Sequence, residues 1–337
     1  MEDEAPQGAH GRNKRHVPVL LEEAMQFLRI LPGGTYVDAT LGLGGHSTAI
    51  ARLLGPEGHL IAFDRDPEAM ESAEARLAVL RAELGDRMPR ITLHAAAFAE
   101  LASWVEPQSV DGILADFGVS SLQLDTAQRG FSFQADAPLD MRMDTRSGVT
   151  AEQVVNQSSE EDLANLIYEF GEERRSRRIA RAIVRARPVT TTAQLAKVVT
   201  SSAPAIKSDR IHPATRVFQA LRIAVNGELD QIASLLRQAP QVLRAPGERP
   251  GGRMVAISFH SLEDRIVKDA FREGKTSGTW KVLTPKPVTA TEEEVRINPR
   301  SRSAKLRAAE RAEKPAIRGR QPAMQQDKIL RRSWSSG

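Results

Sequence analysis

With 337 residues, 41% of them hydrophobic and 27% charged, the chain has the composition of a soluble globular protein and the length for one large or two ordinary cores. It contains no cysteine, which excludes disulfides, thiolate metal sites and a cysteine nucleophile, and no stretch approaches the roughly 20 continuous apolar residues of a membrane span. A reducing cytoplasm is the simplest address, and the net charge of +4 leans only weakly toward a polyanionic partner.

Residues 1–15 are polar, mixed in charge and without periodicity, which predicts a disordered arm. From His16 to Ile30, Val19, Leu20, Ala24, Phe27 and Leu28 recur at helical spacing, and Pro32-Gly33-Gly34 ends that helix. Thr35, Tyr36 and Val37 form a short strand closing at Asp38, followed by Gly42, Gly44 and Gly45 and a helical pattern over Ser47–Leu54. Strand, glycine turn and helix in that order build a ligand pocket. Glycines let the backbone approach closely, and the N–H groups at the helix start favour an anionic group. The spacing lacks the third glycine of the dinucleotide fingerprint, which argues against a pyrophosphate. His59–Phe63 is the next buried strand and delivers Asp64, placed to accept both hydroxyls of a ribose. Asp66 and Pro67 then open another helix as cap and first turn. Together these features predict a nucleoside cofactor without pyrophosphate, and S-adenosylmethionine fits, its carboxylate facing the glycine turn and its ribose facing Asp64.

Arg90–Leu93 reads as a third strand, with Phe98 beyond its carboxyl end as a candidate to lie against adenine. Val110–Ala115 is a fourth, and it delivers Asp116 and the loop Phe117–Ser121 to the same sheet edge as the glycine turn. That loop is the natural place for an acceptor nucleophile to meet the cofactor's methyl group. From Leu124 to about Ile211 the alternation of strands and helices stops, and amphipathic helices indicate an inserted helical unit. One of them carries Arg174, Arg175, Arg177, Arg178, Arg181, Arg185 and Arg187, a density that suits phosphate contacts although a solvated face is the alternative. Ile211–Leu236 reads as one long helix with Asn226-Gly227 in its middle, and Met254–Ser258 as a fifth buried strand leading to His260, Glu263 and Asp264. Beyond Gly274 apolar periodicity is poor. The basic segment Arg296–Arg307, with Arg300 and Arg302, suits either a phosphate backbone or a solvated tail, and disorder is expected from Ala316. The histidines show no metal-ligand spacing, so no metal is expected.

Seven blocks carry a specific resemblance: GLGGHS at Gly42–Ser47, DFGVSSLQLD at Asp116–Asp125, RGFSF at Arg129–Phe133, PLDMRMD at Pro138–Asp144, HPATRVFQALRIAVN at His212–Asn226, ISFHSLEDRIVK at Ile257–Lys268 and NPRSRSAKLR at Asn298–Arg307. Over about His16 to Arg311 the chain resembles the bacterial 16S rRNA (cytosine-N4)-methyltransferases. The resemblance implies an α/β fold, a Rossmann-like class I methyltransferase sheet formed by 16–124 and 212–311, with an all-helical, substrate-binding insertion over 125–211; 312–337, outside the resemblance, is expected to be a disordered tail. It implies S-adenosylmethionine as donor and a cytosine in the decoding region of the small ribosomal subunit as acceptor. Carried onto matching positions, the donor site is Gly44, Gly45, His46, Asp64, Phe98, Asp116 and Gln123.

Asp116 is the first candidate to accept a hydrogen of the cytosine amine, with His260 and Asp264 behind it. Phe133 and Asp140 are candidates for the base pocket, and Arg174, Arg175, Arg177, Arg178, Arg181, Arg300 and Arg302 for RNA contacts. Many amino-methyltransferases have Pro-Pro-aromatic after the acidic residue, where this chain has Phe117-Gly118-Val119, so Asp116 serving only the donor stays open. The rival enzyme is an N4 or N6 DNA methyltransferase. A nucleotide-binding oxidoreductase and a noncatalytic scaffold are the readings from other classes. Oligomeric state has no signature in the sequence.

Overall fold

Alternating burial on both faces of a central sheet explains why the strands read as nearly continuous apolar runs. In the computed structural model, which describes residues 18–205 and 211–312, α1 (Leu21–Leu28) precedes β1 (Thr35–Asp38), α2 (Gly45–Leu54), β2 (His59–Phe63), α3 (Pro67–Leu84) and β3 (Arg90–His94). A short α4 (Leu101–Trp104) leads to β4 (Gly112–Asp116) and α5 (Ser121–Asp125). Tyr36, Leu60, Leu114 and Val255 face one side, under α1, α2 and α3, whereas Val37, Ile61, Ile113 and Met254 face the other. The expected arm over 1–15 and the tail over 312–337, Ala312 apart, lie outside the described residues.

The insertion follows as α6 (Ala151–Gln157), α7 (Glu160–Gly171), α8 (Ser176–Ala186) and α9 (Thr192–Ser202). Thr150, Ser159 and Thr191 cap the first, second and fourth of these through their side chains. The single helix expected over Ile211–Leu236 is instead two, α10 (Pro213–Asn226) and α11 (Glu228–Val242). Gly227 separates them in the left-handed region at φ 59°, its N–H donating to the Ile223 carbonyl. A helical pattern on both sides of a glycine hides such a break, because the apolar stripe resumes after it. Val217, Phe218 and Leu221 of α10 join the core of α7, α8 and α9, so we propose that the helical unit extends to Gly227 rather than ending at 211.

The chain then completes the sheet through β5 (Arg253–Ser258), α12 (Ser261–Thr276), β6 (Trp280–Val282), α13 (Glu292–Ile297) and β7 (Lys305–Arg311). Leu306, Ala308 and Ala309 of β7 are fully buried. The last three residues of the basic segment expected to lie along phosphate or in solvent, Lys305–Arg307, therefore open a sheet strand; its small alanines gave too weak a period to show it. The order is β3-β2-β1-β4-β5-β7-β6, and only β7 runs antiparallel. Between β1 and β4 the winding reverses, and a crevice opens beyond their carboxyl ends, where such sheets bind ligands.

Candidate functional site

The crevice holds a pocket whose floor is the turn after β1 and whose walls are the segments after β2, β4 and β5. Asp38 closes β1 and is committed to structure, accepting Ser47 Oγ at 2.7 Å and the Thr40 N–H at 3.1 Å. Gly44, at φ 72°, is the N-cap of α2. At Gly45 a Cβ would stand 2.5 Å from Pro18 Cγ, so only glycine lets the segment before α1 cross the helix start. Asp64 ties the turn down: Oδ2 accepts the Gly42 N–H at 2.8 Å and Oδ1 the Asp66 N–H at 2.9 Å. Burial pushes its pKa up to about 6 against those hydrogen bonds. Phe98 and Phe117, with ring centroids 6.0 Å apart and planes tilted by 48°, form an apolar wall of the pocket.

His46 reaches across the pocket, Nε2 lying 3.1 Å from the Val19 carbonyl and Nδ1 3.7 Å from Asp116 Oδ2. The Asp116 carboxyl projects from the end of β4, and its Oδ1 is buried with no hydrogen-bond partner. Burial above all, then Asp38 and Glu263, push its pKa well above the ordinary range. Gln123 also lines the pocket, although its amide is engaged within the protein, donating to Asp66 Oδ2 at 2.7 Å and accepting the Ser120 N–H at 3.0 Å. Six of the expected donor-site residues, Gly45, His46, Asp64, Phe98, Asp116 and Gln123, thus line one pocket, with Gly44 capping the helix beneath it.

Other expected site residues stand elsewhere. Asp264 is held by Arg307, Nε to Oδ1 2.6 Å, and by Lys305 at 3.5 Å, away from the pocket lining. Glu263, one residue earlier on α12, lines the pocket in its place. His260 is that cap, its ring beside Glu263 rather than on the lining. Phe133 packs edge-on against Phe218 at 5.0 Å in the insertion core, and Asp140 forms a two-residue ion pair with Arg142 at 2.7 Å. Neither lines the pocket. On α8 and its approach, Arg175 is bound to Glu173 at 2.9 Å and Arg181 to Glu160 at 3.2 Å, whereas Arg174, Arg177, Arg178 and Arg185 are exposed. Arg300 stands at the pocket rim, 2.5 Å from Asp125, and Arg302 is exposed.

The pocket also includes Arg65, Glu228 and Gln231, which drew no attention as sequence, and Glu263, which the sequence brought to the site edge without a role. Glu228 and Gln231 enter because the chain breaks at Gly227, and the Asn226-Gly227 pair inside a helical pattern was the available signal. Asn226 Oδ1 accepts the Met143 N–H at 2.8 Å while its Nδ2 donates to the Met141 carbonyl at 2.7 Å, joining the PLDMRMD turn to the site. Among the described residues, Glu228, His260 and Glu263 bring ligand-type atoms within 4.8 Å of one another. Arg222 forks onto both oxygens of Glu228 at 2.8 Å and supplies the compensating cation there.

A sheet of this order with a single antiparallel strand, a glycine turn under an acidic ribose-type residue and an acidic loop across the switch point define a class I S-adenosylmethionine-dependent methyltransferase fold. The model of the MraW methylase family matches residues 13–312, and the chain belongs to that family. It is similar to the ribosomal RNA small subunit methyltransferase H of Acidobacterium capsulatum, with 69% identity over 298 residues, covering 88% of this chain and 99% of that one. The protein of the same name from Koribacter versatilis is 58% identical over 313 residues, covering 92% and 98%. That of the Cyanothece strain is 50% identical over 296 residues, covering 88% and 94%.

Proposed function

We propose that this chain transfers the methyl group of S-adenosylmethionine to the exocyclic N4 amine of a cytosine in 16S rRNA, with the small ribosomal subunit as the physiological particle and the cytoplasm as its place of action. The observation that carries the reading is the meeting, in one pocket, of the glycine turn and the Asp116 carboxyl, whose buried Oδ1 has no hydrogen-bond partner, in a chain so similar to small-subunit rRNA methyltransferases. Among the described residues no helix is long and apolar enough to cross a membrane.

S-adenosylmethionine supplies a methyl group on a sulfonium, an electrophile with a good leaving group. The N–H groups of the α2 start would receive its carboxylate, Asp64 would accept from its ribose, and Phe98 and Phe117 would lie against its adenine. The burial that raises the pKa of Asp64 leaves its carboxylate a strong acceptor for those hydroxyls once it is ionised. Holding the reacting atoms in line contributes about 7–11 kcal/mol. Cytosine N4 is a weak nucleophile because its lone pair is delocalised, so a base must take its proton as the new bond forms. Asp116 suits that role: it lines the pocket with a buried oxygen that has no hydrogen-bond partner, and burial makes its carboxyl bind a proton more readily than an ordinary aspartate. The target cytosine must be unpaired or turned out of its stack to reach this depth. Arg174, Arg177, Arg178 and Arg302, exposed on the insertion and near the rim, meet phosphates.

Labelled donor offered to unmodified small subunits, naked rRNA and DNA in parallel tests the reading. Label in the rRNA of subunits is expected, and label in DNA alone contradicts it.

A further inference from the structure

Beyond the ends of β4 and β5 two carboxylates face the same part of the pocket. Besides Asp116 Oδ1, Oε1 of Glu263 in the first turn of α12 is buried with no hydrogen bond. Glu263 is fully buried, at 0% exposure. Its other oxygen, Oε2, accepts the N–H groups of Phe259 at 2.7 Å and His260 at 3.3 Å and so completes the capping box of α12. That task needs no charge, since glutamine closes the same box. A buried carboxylate costs far more than an amide, so the cap leaves the charge unexplained.

The surroundings nevertheless keep it charged. Burial opposes ionisation, yet His260, Arg222 and the Phe259 N–H together hold the Glu263 carboxyl below its ordinary range. His260 Nε2 lies 3.1 Å from Oε1 without the angle of a hydrogen bond, and Arg222, 3.9 Å away, spends its donors on Glu228. Oε1 is thus a charged acceptor, ion-paired with His260 but without a hydrogen bond, on a residue that lines the pocket.

We propose that Glu263 and Asp116 form a two-acceptor cradle for the amino group of the target base, each taking one N4 hydrogen of cytosine, and that this cradle selects a 4-aminopyrimidine over a 4-oxopyrimidine. The proposal rests on the methyltransferase reading above. Cytosine offers two hydrogens at that position, whereas uracil offers a carbonyl oxygen that the ionised Glu263 would repel. In the transfer the N4–methyl bond forms as the methyl–sulfur bond breaks, the sulfonium leaves as a neutral thioether, and the departing N4 proton goes to Asp116. Glu263 keeps the remaining N–H.

The test uses the full chain and small subunits carrying either the cytosine that the wild-type protein modifies or uracil in its place. Binding of each is measured with S-adenosylhomocysteine present, for wild type, Glu263→Gln and Glu263→Asp, and S-adenosylhomocysteine affinity is measured separately. Wild type is expected to prefer the cytosine subunits by about tenfold, as a site built to hydrogen-bond an amine does. Glu263→Gln should bring the preference to about twofold or less with S-adenosylhomocysteine affinity unchanged. If the amide variant does not fold, Glu263→Asp, whose carboxylate is withdrawn by one methylene, is expected to lower the preference as well. A preference kept at the wild-type value in a folded variant overturns the cradle. Wild-type protein that methylates no cytosine in these subunits overturns the methyltransferase reading itself.

Discussion

Asp116 sits beside Asp38 and Glu263 at the end of β4, where burial and those two carboxylates disfavour its ionised form. With its folded pKa above the unfolded value, ionisation weakens the fold as pH rises from about 4 until the folded pKa is passed. Asp116→Asn is therefore expected to raise the melting temperature at pH 8 while lowering transfer by about 100-fold or more. Calorimetry and single-turnover transfer check the two halves separately; a variant that melts lower would show that the carboxylate is paired rather than strained. Asp64 gives a second pH signature. Its carboxylate must be ionised to accept ribose hydroxyls, and its pKa is about 6, so donor affinity should fall as pH drops through 6. Titration calorimetry from pH 5 to pH 8 reads this directly, and a flat profile would remove Asp64 from the ribose. Both residues were legible in the sequence because a residue just past a buried strand has only one place to go in such a sheet. Glu263 was not, because within His260-Ser261-Leu262-Glu263 the pattern reads fully as a helix cap.

Two junctions decide how the elements meet. At Gly227 a Cβ would find open space, so only the left-handed backbone opposes substitution. Gly227→Ala should then cost about 1 kcal/mol, seen as a modest loss in a denaturant melt with donor affinity retained. At Arg129 the guanidinium is buried against Asp66 at 2.8 Å and also bonds the Arg142 and Met143 carbonyls at 3.0 Å, pinning the PLDMRMD turn to α3. Arg129→Met leaves Asp66 buried without its cation and should cost about 3–5 kcal/mol in thermal or denaturant unfolding. A loss below 1 kcal/mol would mean that Gln123 and the backbone hydrogen bonds to Asp66 suffice. Strands β1 to β5 and the cap of α3 stood out in the sequence through apolar runs and an Asp-Pro start. The break at Gly227 and β7 did not, since a stripe resuming after glycine mimics continuity and an alanine-rich strand has little hydrophobic contrast.

At the scale of the molecule, the edge of the α/β sheet forms the pocket proposed for donor and acceptor, and the helical insertion presents exposed arginines. The sequence showed their density but not their pairing: Arg175 and Arg181 are tied to glutamates on their own subdomain, and Arg187 donates to the Val155 carbonyl at 2.9 Å. Changing Arg174, Arg177 and Arg178 together to alanine should reduce the salt dependence of subunit binding by about two to three in log–log slope, leaving donor affinity intact. An unchanged slope would make α8 a solvated face. Pocket residues expected from the motifs near the β1, β2 and β4 ends came together, whereas Phe133 and Asp140, which lie within the insertion, serve its own packing.

The most direct test of the whole account is nucleoside analysis of small-subunit rRNA after incubation with labelled S-adenosylmethionine, run side by side for the wild-type chain and Asp116→Asn. The account predicts labelled N4-methylcytidine from wild type and almost none from a folded Asp116→Asn that still binds the donor. Label on another nucleoside, or equal N4-methylcytidine from both proteins, would contradict it.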